Sequence, residues 1–117
     1  MAAPNIVNVS TITGKSNVAA VTNVSTNLVT NIASSGKVFK VNALYISNIQ
    51  GATTYECNVS ILRGGTEYAI AKTVSVPGDA TLDIITKAVY LEEGDALRVQ
   101  ADENSVLQAV CSFEEIS

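Results

Sequence analysis

The densest group of side chains with ligating or acid–base chemistry is the run Glu92-Glu93-Gly94-Asp95, followed by Asp102-Glu103. Carboxylates on turn sequences are what calcium requires, because the ion takes several oxygens from a flexible loop. The EF-hand spacing is absent, however, and acids in turns between strands are ordinarily solvated surface. A paired-carboxylate glycosidase would need acids across a cleft, with aromatic side chains to stack on sugar; the chain has no Trp and two Phe. It has no His, which removes the usual general base and the commonest metal ligand. A Ser–His–Asp or Cys–His nucleophile is therefore excluded within one chain. No serine stands in GxSxG or SxxK, and Gly64-Gly65 is a hairpin turn rather than a phosphate cradle. Neither an enzyme active site nor a metal or other cofactor is expected.

Cys57 and Cys111 lack CxxC spacing. Cys57 shares strand parity with Val59 and Ile61, and Cys111 with Ala109 and Phe113. This parity favours reduced thiols packed as small hydrophobes, the alternative being a Cys57–Cys111 disulfide.

The elements that must carry these groups are strands. Val, Ile and Thr are abundant, and apolar residues alternate with polar ones from residue 36 onward. In Val89–Glu115, three strand-like runs are separated by the turns EEGD and ADEN, with Leu97, Val99 and Ala101 inward, then Leu107, Ala109, Cys111 and Phe113. Gly94 and Asn104 stand where a turn needs positive φ or a side-chain cap. Val38–Ile49 changes parity: Phe39 and Val41 are apolar on one side at its start, and Leu44 and Ile46 on the other near its end. A strand buried on one face first and on both later is the expectation. Tyr55–Arg63 and Glu67–Val76 form a hairpin about Gly64-Gly65, with Tyr68, Ile70, Val74 and Val76 inward. Lys72 interrupts that parity, as a bulge or a snorkelling side chain would. Pro77-Gly78-Asp79 is a turn, followed by short strands at Thr81–Thr86 and Ala88–Leu91. The pattern predicts an all-β chain: an antiparallel β-sandwich, jelly-roll or immunoglobulin-like, of 8–10 short strands without substantial helix.

One domain is expected, with two unlike parts. Residues 1–35 carry only Lys15 as a charge and are rich in Asn, Ser, Thr, Val and Ala; residues 36–117 form the sandwich body. Strands are expected at Asn5–Thr13, Asn17–Thr22 and Ser25–Ile32, with Gly14-Lys15 as a turn. The scarcity of charge in 1–35 means either that both faces touch protein, within the fold or across a subunit interface, or that an Asn/Thr-rich face is solvated. Candidate interface residues are Ile6, Val7, Val9, Ile12, Val24, Leu28 and Val29. Charge is divided: residues 1–55 hold three lysines and no carboxylate, while residues 56–117 hold eleven acids against four bases, −4 overall. Nucleic acid is thus a poor partner, because phosphate contacts need clustered Lys and Arg. Neither an export signal nor a membrane-spanning apolar run is read in the sequence.

Four stretches carry a resemblance: the MAAPNIVNV opening, SSGKVFKVNALYISN, SVPGDATLDIITK, and YLEEGDALRVQA with the closing VCSFEEIS. Together they resemble small virion structural proteins of tailed bacteriophages, of the type infecting marine cyanobacteria. The resemblance implies a non-enzymatic capsid decoration (cement) protein that binds assembled major capsid subunits and stabilises the shell. It further implies a homo-oligomer, a trimer above all, on the outer capsid surface of a virion assembled in the host cytoplasm. The alternatives are a tail, neck, baseplate or fibre accessory protein, and a carbohydrate- or cation-binding adhesion module.

Overall fold

A computed structural model describes residues 10–117. Nine strands follow one another: β1 (Ile12–Val21), β2 (Thr26–Thr30), β3 (Val38–Asn48), β4 (Tyr55–Arg63), β5 (Thr66–Val76), β6 (Thr81–Asp83), β7 (Val89–Leu91), β8 (Ala96–Ala101) and β9 (Leu107–Ile116). They form two antiparallel sheets. Sheet A runs β1-β9-β3-β6, with β7 also paired to β3, and sheet B runs β2-β8-β4-β5. Counting β6 and β7 as one interrupted strand gives eight strands in jelly-roll order, which decides between the two sandwich types expected. No helix occurs among the described residues.

The inner faces of the two sheets meet in a single core. From sheet A come Val21, Val41, Leu44, Ile46, Leu107, Ala109, Cys111 and Phe113, and from sheet B Leu28, Val29, Cys57, Val59, Leu97 and Val99. Phe39 and Phe113 stack with ring centroids 5.5 Å apart, a separation that favours offset aromatic packing. Two buried asparagines tie the ends of the layers together. Asn31 Nδ2 donates to the carbonyls of Lys37 (2.9 Å) and Leu91 (3.0 Å). Asn48 Nδ2 donates to those of Thr53 (2.8 Å) and Val76 (2.9 Å), and its Oδ1 accepts from the Gln50 N–H. Satisfying carbonyls that the strands leave unpaired avoids the desolvation cost of burying them.

Three expectations are corrected here. The parity change in β3 is a bulge: Val41 faces Phe113 and Ala43 faces Ser112, so Asn42 is the extra residue. One added residue moves the inward set from Phe39 and Val41 to Leu44 and Ile46. Tyr45 consequently stays 42% exposed, and the strand is not buried on both faces. Gly14-Lys15 makes no turn, because β1 pairs continuously with β9 from Ile12↔Ile116 to Val21↔Leu107. Tyr68 does pair with the inward-facing Ile61, yet it is 59% exposed, since that end of the hairpin is left uncovered.

The expected turn chemistry is present. Gly64 and Gly65 both have positive φ (60° and 80°), as a two-residue hairpin turn requires. Gly78 is needed for closeness: a Cβ there would lie 2.8 Å from the Gly51 carbonyl oxygen. At Lys72–Thr73, β5 bulges, with Cys57 facing Val74 and Val59 facing Ala71.

Candidate assembly surface

The acids of the Glu92–Asp95 loop are engaged in structural contacts. Asp95, buried at 2% exposure, ends the β7–β8 turn. Its carboxylate accepts from Arg63 Nε (2.9 Å) and Nη2, and from the Glu92 N–H (2.8 Å). Burial opposes its charged form, but these hydrogen bonds win and hold the carboxyl below its ordinary range. Arg63 also bridges to Glu92 at 2.9 Å, while Glu93 accepts from the Gly36 N–H. Glu92–Asp95 and Asp102–Glu103 flank opposite ends of β8, so their acids do not converge on one ion. Among the described residues, no three His, Cys, Asp or Glu side chains are grouped to hold a metal.

Both cysteines are free and buried. Desolvation pushes each thiol up to about 11, with the Asp102 charge adding to the effect at Cys57. A thiol held protonated is a poor nucleophile at neutral pH.

The outer faces of the sheets differ in character. Sheet B presents Asn58, Gln100, Ser60, Glu67 and Arg98 in mutual contact: Asn58 Nδ2 donates to Gln100 Oε1, and Glu67 accepts from Ser60, Ser25 and Arg98. Hydrogen bonds from Ser60 and Ser25, with the Arg98 charge, lower the Glu67 carboxyl.

Sheet A presents a cross-strand row in which Val18 faces Val110 and Val110 faces Tyr45. These side chains are 72%, 40% and 42% exposed. Ser16 and Ser112 lie on one side of the row, and Ala20, Gln108 and Ser47 on the other. Asp83, the cross-strand partner of Tyr45, ends the row, and the pair Lys40 and Glu114 lies beyond Ser112. A shallow depression of about 320 Å³ runs along the β1–β9 pair, lined by Val18–Ala20 and Gln108–Val110. Exposed apolar side chains in register, flanked by uncharged polar ones, have the composition of an interface centre.

The candidate interface residues divide among three settings. Ile12 and Val24 are exposed, at 56% and 66%. Leu28 and Val29 sit in the core at 7% and 2%, because the bulge in β2 turns both of these consecutive residues inward. Ile6, Val7 and Val9 lie outside the described residues. Val18, Val110 and Tyr45 were not among the candidates. The signal was present for Val110, an apolar residue on the parity of Gln108 and Ser112; for Tyr45 it was hidden by the bulge.

No family model matches the chain, and no curated protein matches it significantly. Among solved structures, a chain from Bacillus endospore appendages, described as a novel family of disulfide-linked pili, is similar. Its TM-score is 0.54 at 12% identity, over 92% of this chain and 88% of that chain. At this identity the likeness is one of fold.

Proposed function

We propose that the chain is a non-enzymatic structural subunit, a capsid decoration protein that binds assembled major capsid subunits in a tailed-phage virion. The observation that carries this is the outer face of sheet A, where Val18, Val110 and Tyr45 are exposed in one row and charges stand only around it. A face of this kind gains by being covered, at about 25 cal/mol per Å² of apolar surface removed from water. Each contact is modest, but repetition over a lattice makes attachment durable. The polar face of sheet B then remains toward solvent. The virion setting comes from the sequence resemblance.

The test is copy number in purified virions by quantitative mass spectrometry, alongside binding of the chain to emptied shells. Decoration predicts abundance comparable to the major capsid protein, and loss of shell binding in Val110→Lys with the fold intact. A handful of copies would instead place the protein in the tail or neck. The likeness to a pilus chain favours a second reading, a subunit of a filamentous appendage, for which the chain would polymerise without any shell.

A further inference from the structure

The sheet borders are unequally protected. Strand β5 borders sheet B with two register breaks and carries Lys72. Strand β2 has five residues and a bulge at Leu28, and β6 and β7 have three residues each. Short strands, bulges and charges are how sheets avoid stray pairing. Strand β1 has ten residues in unbroken register with β9 and no proline. Its one charge, Lys15, is held by Glu115 at 2.7 Å.

The backbone groups presented by this border follow from the ladder. The Thr11 N–H donates to Ser117 O and the Ser117 N–H to Thr11 O, both at 2.9 Å, so these residues form a hydrogen-bonded pair. Alternation assigns Thr13, Lys15, Asn17, Ala19 and Val21 to β9 in the same way. The N–H and C=O groups of Ile12, Gly14, Ser16, Val18 and Ala20 therefore point away from the sheet.

We propose that β1 is a self-association edge, pairing antiparallel with β1 of a second copy about a two-fold axis at Ser16. Only registers that set even-numbered residues against even-numbered ones use the outward groups. Centred on Ser16, Gly14 meets Val18 and Ile12 meets Ala20 of the second copy, giving about ten backbone hydrogen bonds. Lys15 then falls opposite Asn17. An axis at Lys15 would set two lysines directly opposite each other, which is destabilising. An axis at Asn17 would run Ile12 past the end of the facing strand. The Ser16 register is self-complementary in hydrogen bonding and in charge, and it joins two five-stranded sheets into one, with the Val18–Val110–Tyr45 rows flanking the junction. This deepens the assembly reading by supplying a subunit contact, two-fold rather than the three-fold implied by the resemblance. It is measured without a virion, so each can fail alone.

The experiment is light scattering of the full-length chain after gel filtration, from low micromolar to submillimolar concentration. A dimer is expected. Ser16→Pro deletes an outward N–H while leaving every β1–β9 bond in place, and should weaken dimerisation by more than about tenfold. Val18→Lys, at an exposed position, should do the same by guarding the edge, and it decides the matter if the proline variant does not fold. Ser16→Cys should be joined into a covalent dimer by a short bis-thiol-reactive linker, because directly opposed Cβ atoms of a hydrogen-bonded pair lie about 5 Å apart, close enough for such a linker though wide for a disulfide; Cys57 and Cys111 are buried and do not compete. The proposal is overturned by a wild-type monomer or trimer, by a dimer indifferent to both edge variants, or by Ser16→Cys that stays uncoupled.

Discussion

Asp95 and Glu115 are the carboxylates whose neighbours set the pH range of the fold. Glu115 is bound by Lys15 and Lys37, and those two hydrogen bonds lower its carboxyl below the ordinary range. With Glu67 and Asp95 also lowered, the folded chain binds fewer protons than the unfolded chain near pH 4. Their contribution is present above the ordinary carboxylate range and disappears as pH falls through the folded values. The cysteines act at the other end. Their thiols titrate at about 11 when folded, against 9.0 ordinarily, so their contribution is full below pH 9 and is lost as pH rises toward 11. The thermal midpoint should therefore fall on both sides of neutrality, and replacing both cysteines with Ala should flatten the alkaline limb. An alkaline limb unchanged by that replacement would refute the assignment. Arg63→Ala strands the buried Asp95 charge. Because the guanidinium is half exposed, the expected loss is about 1–3 kcal/mol, below that of a fully buried pair. Denaturant titration at pH 7 measures it, and Arg63→Ala with Asp95→Asn should recover part of the loss.

At the scale of the strand, the bulges govern both burial and strain. Thr73 sits in the β5 bulge at φ 54°, a left-handed conformation that a β-branched side chain resists. The Asn58 side chain fixes it by accepting from the Thr73 N–H at 2.7 Å. Thr73→Gly should leave stability unchanged or raise it by up to about 1 kcal/mol, whereas Asn58→Ala should lower it; a marked loss in the glycine variant would mean that the threonine side chain matters more than its backbone. Lys72 breaks the alternation in the sequence, so this bulge is legible. The bulge at Asn42 is not, because a polar residue on a polar parity looks regular until Leu44 and Ile46 appear on the wrong side. The continuity of β1 through Gly14 was also hidden, since only the unbroken β9 ladder shows that no turn is needed. The turn residues fare better: Gly94 has φ 89°. Asn104 caps as a side chain, accepting from the distant Asn23 N–H at 2.8 Å, while the positive φ falls on Ser105. Sandwich class and most inward residues follow from period alone. The outer face of sheet A does not, because it depends on which strands lie side by side.

For the whole molecule, the decisive question is what residues 1–35 contribute. Their scarcity of charge fits either a detachable arm or a buried part of the fold, and the two make opposite predictions for a chain lacking them. Strand β1 borders sheet A and β2 borders sheet B. Val21, Leu28 and Val29 fill the core, and Asn31 bonds to the carbonyls of Lys37 and Leu91. Removing the segment would expose the flank of β9 in one layer and β8 in the other, and open the core between them. Deletion of residues 1–35 should therefore abolish cooperative unfolding, with loss of near-ultraviolet signal and binding of a hydrophobic dye. Two point variants make the same comparison without truncation. Leu28→Asp puts an unpaired charge into the core and should cost several kcal/mol, whereas Val24→Asp, at an exposed position, should leave the melting midpoint nearly unchanged. If the truncated chain kept a sharp transition, β1 and β2 would be dispensable to the core, and the uncharged segment would be a detachable arm. If it lost the transition, the segment would contribute to assembly through surfaces it presents while folded, which among the described residues include the β1 edge and the exposed side chains of Ile12, Val18, Val24 and Ile32.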